Sequence, residues 1–268
     1  MATSVSLSIF SRSTLQALQN TSQQIGVTQN RLSTGKKVNS PIDNATAFFI
    51  AQSLTSRASD VSAAKDSIGV AVNTVKAGVD ALDAVSSTLE QLKGLADQVV
   101  AGQGDAASLN TQFNELRNQL NNLVSDASFQ GVNLIGGADT LKVNFNESAA
   151  AEQTITGSTN SASGLSIDSQ SISTAAAASD AVTALTTALS SVRSRATVLG
   201  SNASFLQTRL DFNTKQTNNL QEGADRLTNA DPNEEAANLT ALQTRQPSGI
   251  SSLALAAQSE RSILALFS

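Results

Sequence analysis

Ser33-Thr34-Gly35-Lys36 has the spacing of a serine–lysine acylation dyad, in which a lysine amine takes the proton of a serine hydroxyl. Enzymes built on that dyad also carry S-D-N and K-T-G elements, and neither occurs in this chain. Gly35-Lys36-Lys37 fails as a phosphate loop, because Asn30 stands where a glycine is needed and Lys37 where a Ser or Thr should bind magnesium. The plain reading of this stretch is a helix stop at Gly35 followed by an exposed basic turn. Glu90, Asp97 and Asp105 are not spaced to converge for acid–base work or a metal, and Glu234 and Glu235 suit a helix N-terminus. With no histidine, the commonest general base is missing; with no cysteine, thiolate chemistry and disulfides are excluded. No catalytic residue, cofactor or metal is therefore assigned, and the chain is read as an assembly protein rather than an enzyme.

Composition points the same way. The 268 residues are 40% hydrophobic but only 3% aromatic, all from nine phenylalanines, which suits long helices packed through small side chains. A net charge of −5 argues against nucleic acid and anionic membrane as partners. No run approaches the roughly 18 apolar residues of a membrane span. The opening MATSVSLSIFSRSTLQALQ lacks the basic leader and cleavage site of a Sec signal. Most of the five N-x-S/T triplets, at Asn20, Asn44, Asn146, Asn202 and Asn238, are read as chance matches in a chain rich in Asn, Ser and Thr.

Periodicity supplies the elements. Val182, Leu185, Leu189, Val192, Ala196 and Leu199 step by three and four, and the register continues through Ala203, Leu206 and Leu210 to Leu227. Such spacing is the seam of a coiled coil, with Asn213 and Thr217 as polar intrusions that set register. A second seam runs every seventh residue from Leu54 to Ala96, beside small companions at Ala64, Ala71 and Gly78, where packing should be closest. Its helix should span about 44–101, or on the order of 85 Å at 1.5 Å per residue. A third helix should follow Gly102–Gly104, capped by Asp105 or Ser108.

Between Phe129 and Ser179 the pattern alternates instead. Leu141, Val143 and Phe145 read as a strand, with further strands around Ile155 and Ile167, and this patch should sit outside the bundle. The fold class is mainly α: an elongated antiparallel coiled-coil or helical bundle with a small β-hairpin region.

The ends are marginal alone. Leu15, Leu18, Ile25 and Leu32 share a helical face with Ser22 and Gln29, too polar to hold a helix without a partner. The closing ISSLALAAQSERSILALFS exposes Ile250, Leu253, Ile263, Leu264 and Phe267, among others, to a chain terminus. Asp231, Pro232 and Glu234 mark the start of the last helix. Pro247 lacks a backbone donor, at a cost of about 3 kcal/mol inside a helix, and Gly249 adds freedom, so a bend or break is expected between Arg245 and Gly249.

The segment QNRLSTGKKVNSPIDNATAFFIAQSL, from Gln29 to Leu54, resembles the N-terminal signature of the bacterial flagellins. The resemblance rests on the turn Arg31, Leu32, Ser33, Gly35 and Lys36, then Asn39 and Asp43. LTALQTRQPSGISSLALAAQSERSILALF, from Leu239 to Phe267, is similar to the flagellin ending, and DASFQGVNLIGG, from Asp126 to Gly137, to the turn after the family's third helix. Related chains usually carry a helix-compatible pair where Pro247-Ser248 stands.

The resemblance implies a subunit that self-polymerises into the bacterial flagellar filament, the propeller of swimming motility, with its N- and C-terminal helices paired along the central channel. It implies a layout of N-terminal region 1–138, short variable β-rich surface region 139–178 and C-terminal region 179–268. The implied partners are other copies of the chain, the flagellar export apparatus, an export chaperone, the filament cap and hook-associated junction proteins. The implied location is extracellular, reached without a cleaved Sec signal. Ser158, Thr159, Ser161 and Ser163 are the implied candidates for O-glycosylation. Two alternatives stay open: a hook–filament junction protein built on similar termini, and a cytoplasmic coiled-coil signalling module.

Overall fold

A computed structural model describes residues 9–146 and 151–266, and the side chains of Glu260 and of residues 263–266 are outside that description. Five helices and two strands follow in order: α1 (Ile9–Thr34), α2 (Pro41–Val100), α3 (Ala106–Asp126), β1 (Thr140–Asn144), β2 (Glu152–Thr156), α4 (Ala175–Thr228) and α5 (Pro232–Leu266). The chain forms two compact units, one drawn from its two ends (through Thr55 and from Leu220), the other from residues 56–219.

Helix starts follow local chemistry. Asn44 has extended backbone angles inside the span of α2, and its Oδ1 accepts from the Ala47 N–H at 3.0 Å, so it caps the long helix while Pro41–Asp43 form a separate turn. Asp105 caps α3 by accepting from the Ser108 N–H at 2.9 Å. Asp231 does the same for α5, accepting from Asn233 at 2.8 Å, and Pro232 takes the first helical position, where its missing N–H costs nothing. Gly102 and Gly104 turn α2 into α3 with positive φ.

In the 56–219 unit the two seams meet as an antiparallel packing. Val61, Ile68, Val75, Leu82, Leu89 and Ala96 of α2 are buried, as are Leu185, Leu189, Val192, Leu199 and Leu206 of α4. A methyl group added at Gly78 would lie 3.2 Å from Leu199 Cδ1 and 3.6 Å from Leu134 Cβ, so the missing side chain at this companion position makes room for both leucines.

The hairpin corrects one expectation. β1 and β2 pair antiparallel, with Leu141 opposite Ile155 and Val143 opposite Gln153. Val143, Phe145 and Ile155 share one hydrophobic core with α2 and α4, so the patch is part of the bundle rather than outside it. Alternation gives the hairpin one apolar face, and a two-stranded hairpin is not stable until that face is covered. The expected strand at Ile167 is absent: Ile167 lies between two successive turns and plugs the same core.

Side chains of α3 and α4 hold the coil after β2 by its backbone. Arg117 donates to the Gln170 carbonyl at 2.8 Å, and Arg195 to the Thr159 carbonyl and to Asn160 Oδ1. Asn110 accepts from the Ile172 N–H, Asn121 from the Ala162 N–H, and the fully buried Asn160 donates to the Ile135 carbonyl. Buried polar backbone needs such partners, and here no ladder supplies them.

Candidate functional site

The site is built at the chain ends, where α1 packs along α5. On α1 the contact face holds buried Ser11 and Thr28, half-buried Leu15, Leu18 and Ile25, and Arg31. On α5 it holds buried Glu235, Leu242 and Ala256 and half-buried Leu253. Arg31 donates to Glu235 Oε1 at 3.1 Å and fixes the upper end of the pairing.

That ion pair accounts for a correction. Thr28 and Arg31 take the inward positions assigned to Gln29 and Leu32, and Leu32 is exposed. Ile250 is exposed as well; Ile263 and Leu264 side chains and the whole of Phe267 lie outside the described residues. The acid that anchors α5 is Glu235, next to the Glu234 expected to cap it.

The break expected at Pro247 and Gly249 is not there: α5 runs through both residues as one helix. Contacts with α1 on either side of the proline hold it. Gly249 is half-buried, and an added Cβ would come 3.3 Å from Leu18 Cδ1, so this glycine gives Leu18 room instead of loosening the backbone. Gln246 before it and Leu253 after it are half-buried on the same side. Tertiary packing of this kind overrides intrinsic propensity.

The signature turn clamps the four helix ends together. Gly35 ends α1 with φ +70, and its carbonyl accepts from the Ala230 N–H at 2.9 Å. Lys37 N–H donates to the Thr228 carbonyl at 2.7 Å, while Lys36 bridges Asn229. Val38 is buried, and Lys37 Nζ donates to the Arg226 carbonyl at 3.3 Å. Asp43 Oδ2 accepts from Asn39 N–H, Ser40 N–H and Ser40 Oγ at 3.0, 2.9 and 3.0 Å. The Asn39 and Ser40 backbone bonds hold the Asp43 carboxyl below the usual carboxylate range. Ser33 Oγ donates to the Asn30 carbonyl at 2.9 Å and lies exposed beside Lys36, the arrangement of a helix terminus rather than an activated nucleophile.

Of the hydroxyls singled out in the surface region, Thr159 and Ser163 are exposed, and Ser161 and Ser163 lie 3.3 Å apart. Ser158 Oγ accepts from Asn160 at 3.1 Å. Among the described residues no three His, Cys, Asp or Glu side chains gather as metal ligands, and no helix is long and apolar enough to cross a membrane.

Paired chain-end helices with a bonded turn clamping four helix ends make up one unit, and two long antiparallel seams make up the other, the build of a helical structural protein. Comparison with known proteins places that architecture. The family model for the bacterial flagellin N-terminal helical region matches residues 5–140, and that for the C-terminal helical region matches residues 182–267. Flagellin FljM of Caulobacter vibrioides is 32% identical over 257 residues, covering 94% of each chain, and a flagellin of Brucella melitensis is 29% identical over 267 residues, covering 94% of this chain and 95% of that one. In fold alone, the chain resembles the crystal structure of Bacillus cereus flagellin, with a TM-score of 0.50, 20% identity and coverage of 55% of this chain and 88% of that one. It likewise resembles a putative flagellar hook-associated protein of Vibrio parahaemolyticus, with a TM-score of 0.58, 13% identity and coverage of 70% and 100%. The chain belongs to the bacterial flagellins. It is a structural subunit of the flagellar filament that polymerises with itself, not an enzyme, and the hook-associated alternative is no better supported.

Proposed function

We propose that the α1–α5 pair is the assembly core of this subunit, ordered fully only when other copies surround it. The carrying observation is what the pair leaves uncovered: Ile9, Phe10, Val27, Leu32, Ile250 and Leu255 are exposed although both helices are paired. Covering each by a neighbour yields on the order of 1–2 kcal/mol, and a polymer multiplies that gain while ordering entropy opposes it in the lone chain. Leu15, Leu18, Ile25 and Leu253 serve within the pair; Ile263, Leu264 and Phe267 extend the apolar stretch. Hydrogen exchange tests this directly. Amides of 9–34 and 232–266 should exchange rapidly in dilute, unassembled protein and become protected in filaments. Firm protection of both segments in the dilute chain refutes the reading.

The same reading gives the subunit an extracellular place in the filament, reached through the flagellar export apparatus without a cleaved signal. An export chaperone, the filament cap and hook-junction proteins complete its partners. We read 139–178 as the short variable region between an N-terminal region 1–138 and a C-terminal region 179–268, with its apolar face in the core and its polar residues outward. Exposed Thr159 and Ser163 are its best-placed hydroxyls for sugar attachment, ahead of Ser158 and Ser161. Intact mass of filament protein equal to that of the bare chain removes the glycosylation reading.

A further inference from the structure

Helix α4 carries a second apolar stripe besides its buried seam. Val198, Phe205 and Phe212 recur every seventh residue, one position before Leu199, Leu206 and Asn213 of the seam, and are 58%, 46% and 55% exposed. Single exposed apolar residues are ordinary; three in heptad register on one helix, spanning about 21 Å, form a face. The face is held stiff from behind. Phe205 meets Phe145 edge-on at 5.7 Å, and Asn213 Nδ2 donates to the Phe145 carbonyl at 3.1 Å. Arg209 lies between Phe205 and Phe212, its guanidinium 4.6 Å from the Phe145 ring centroid, and it has no carboxylate partner among the described residues.

A matching face lies on the outer side of α2. Val70 is exposed, with Ala63 exposed and Ala77 half-buried one heptad to either side, and Asp66 one turn before it is largely in water. Laid antiparallel, the two faces agree in one register. Phe205 opposite Val70 places Phe212 opposite Ala63, Val198 opposite Ala77 and Arg209 opposite Asp66. Large side chains meet small ones, as knobs require, and the unpaired cation meets a carboxylate. Charge agrees over the whole length. From 175 to 219, α4 carries four cations against two carboxylates, and from 56 to 100, α2 carries four cations against six carboxylates.

From this match we infer that the Val198–Phe205–Phe212 face of α4 packs antiparallel on the Ala63–Val70–Ala77 face of α2 in a second copy, with Arg209 paired to Asp66. The contact is heterologous, joining two different surfaces, so it propagates rather than closes into a dimer. It rests on the filament reading and names the side-by-side surface of that polymer.

The chain's lack of cysteine makes a clean test possible. Chains carrying Phe205→Cys are copolymerised with chains carrying Val70→Cys, and filaments are oxidised. A disulfide-linked dimer is expected in filaments and not in the unassembled mixture. Phe205→Cys with Ala63→Cys, about 10 Å out of register, should not link, since a disulfide needs Cα atoms within about 7 Å. Filaments without the 205–70 link overturn the inference and leave the filament reading intact; wild-type chains that form no filaments sink that reading itself. Should a cysteine chain not assemble, charge reversal decides. Arg209→Glu should raise the critical concentration about tenfold, and Arg209→Glu with Asp66→Arg should restore it. No effect of the first change, or no rescue by the second in chains with wild-type circular dichroism, overturns the pairing.

Discussion

Asp43 carries three hydrogen bonds on one carboxylate oxygen, two of them from successive backbone amides. Its ionisation is thereby coupled to the turn between α1 and α2. The folded-state pKa lies below the ordinary value of 3.8, so the stabilisation is complete above that value and is lost as pH falls through the lowered one. Carboxyl-detected NMR of Asp43 should give a titration midpoint below 3.8, and Asp43→Asn should raise exchange at the Asn39 and Ser40 amides. Pro247 allows a sharper test. Because α5 is already continuous, Pro247→Gln restores a backbone bond to the Gln243 carbonyl without altering the helix path. Filaments of the variant should melt later by circular dichroism, reflecting up to about 3 kcal/mol per subunit. An earlier melt would show that the proline ring itself contributes packing. Neither residue's role was fully legible in the sequence: the signature flagged Asp43 but not its bonds, and the proline rule is local whereas the support comes from Leu18, far away in the chain.

Elements differ in how openly the sequence declares them. The seams of α2 and α4 are visible because nearly every buried position is apolar, Thr74 and Asn213 excepted, and the period stays constant. The face of α1 is half legible, since Ser11 and Thr28 bury small polar side chains and Arg31 is chosen by an acid some two hundred residues later. The coil after β2 was the least legible, because Arg117, Arg195, Asn110 and Asn121 hold it by its backbone, and backbone bonding leaves no mark on residue types. For the α1–α5 pair, Arg31→Ala strands a buried carboxylate. It should lower filament stability by about 1–2 kcal/mol per subunit, less than a fully buried pair because Arg31 is partly in water. The melting of the 56–219 unit in unassembled protein should stay unchanged. Asp105→Ala makes the opposite distinction: loss of the α3 cap costs about 1 kcal/mol in the monomer's own melt.

At the scale of the whole molecule, the chemistry-poor inventory and the uncovered ends belong together. A chain without histidine, cysteine or tryptophan has little to offer a substrate, and its apolar stripes at the two ends and on α4 offer much to another copy. Deleting residues 250–268 should leave the 56–219 unit folded and abolish polymerisation, read by sedimentation and electron microscopy. Wild-type-like fibres from the truncated chain would show that the tail is dispensable.

Asn213 has one more implication. Read from the sequence as a register-setting intrusion between helices, it instead donates to the main chain of the hairpin at Phe145. Sliding α4 by one turn, about 5.4 Å, past the hairpin would break this bond, and Asn213 is buried, so an amide left unpaired there costs about 1–3 kcal/mol. The hairpin would thus resist axial slippage of α4. Small axial strain would stretch this bond before breaking it, so the two elements should shift together under light load and separately only under a heavier one.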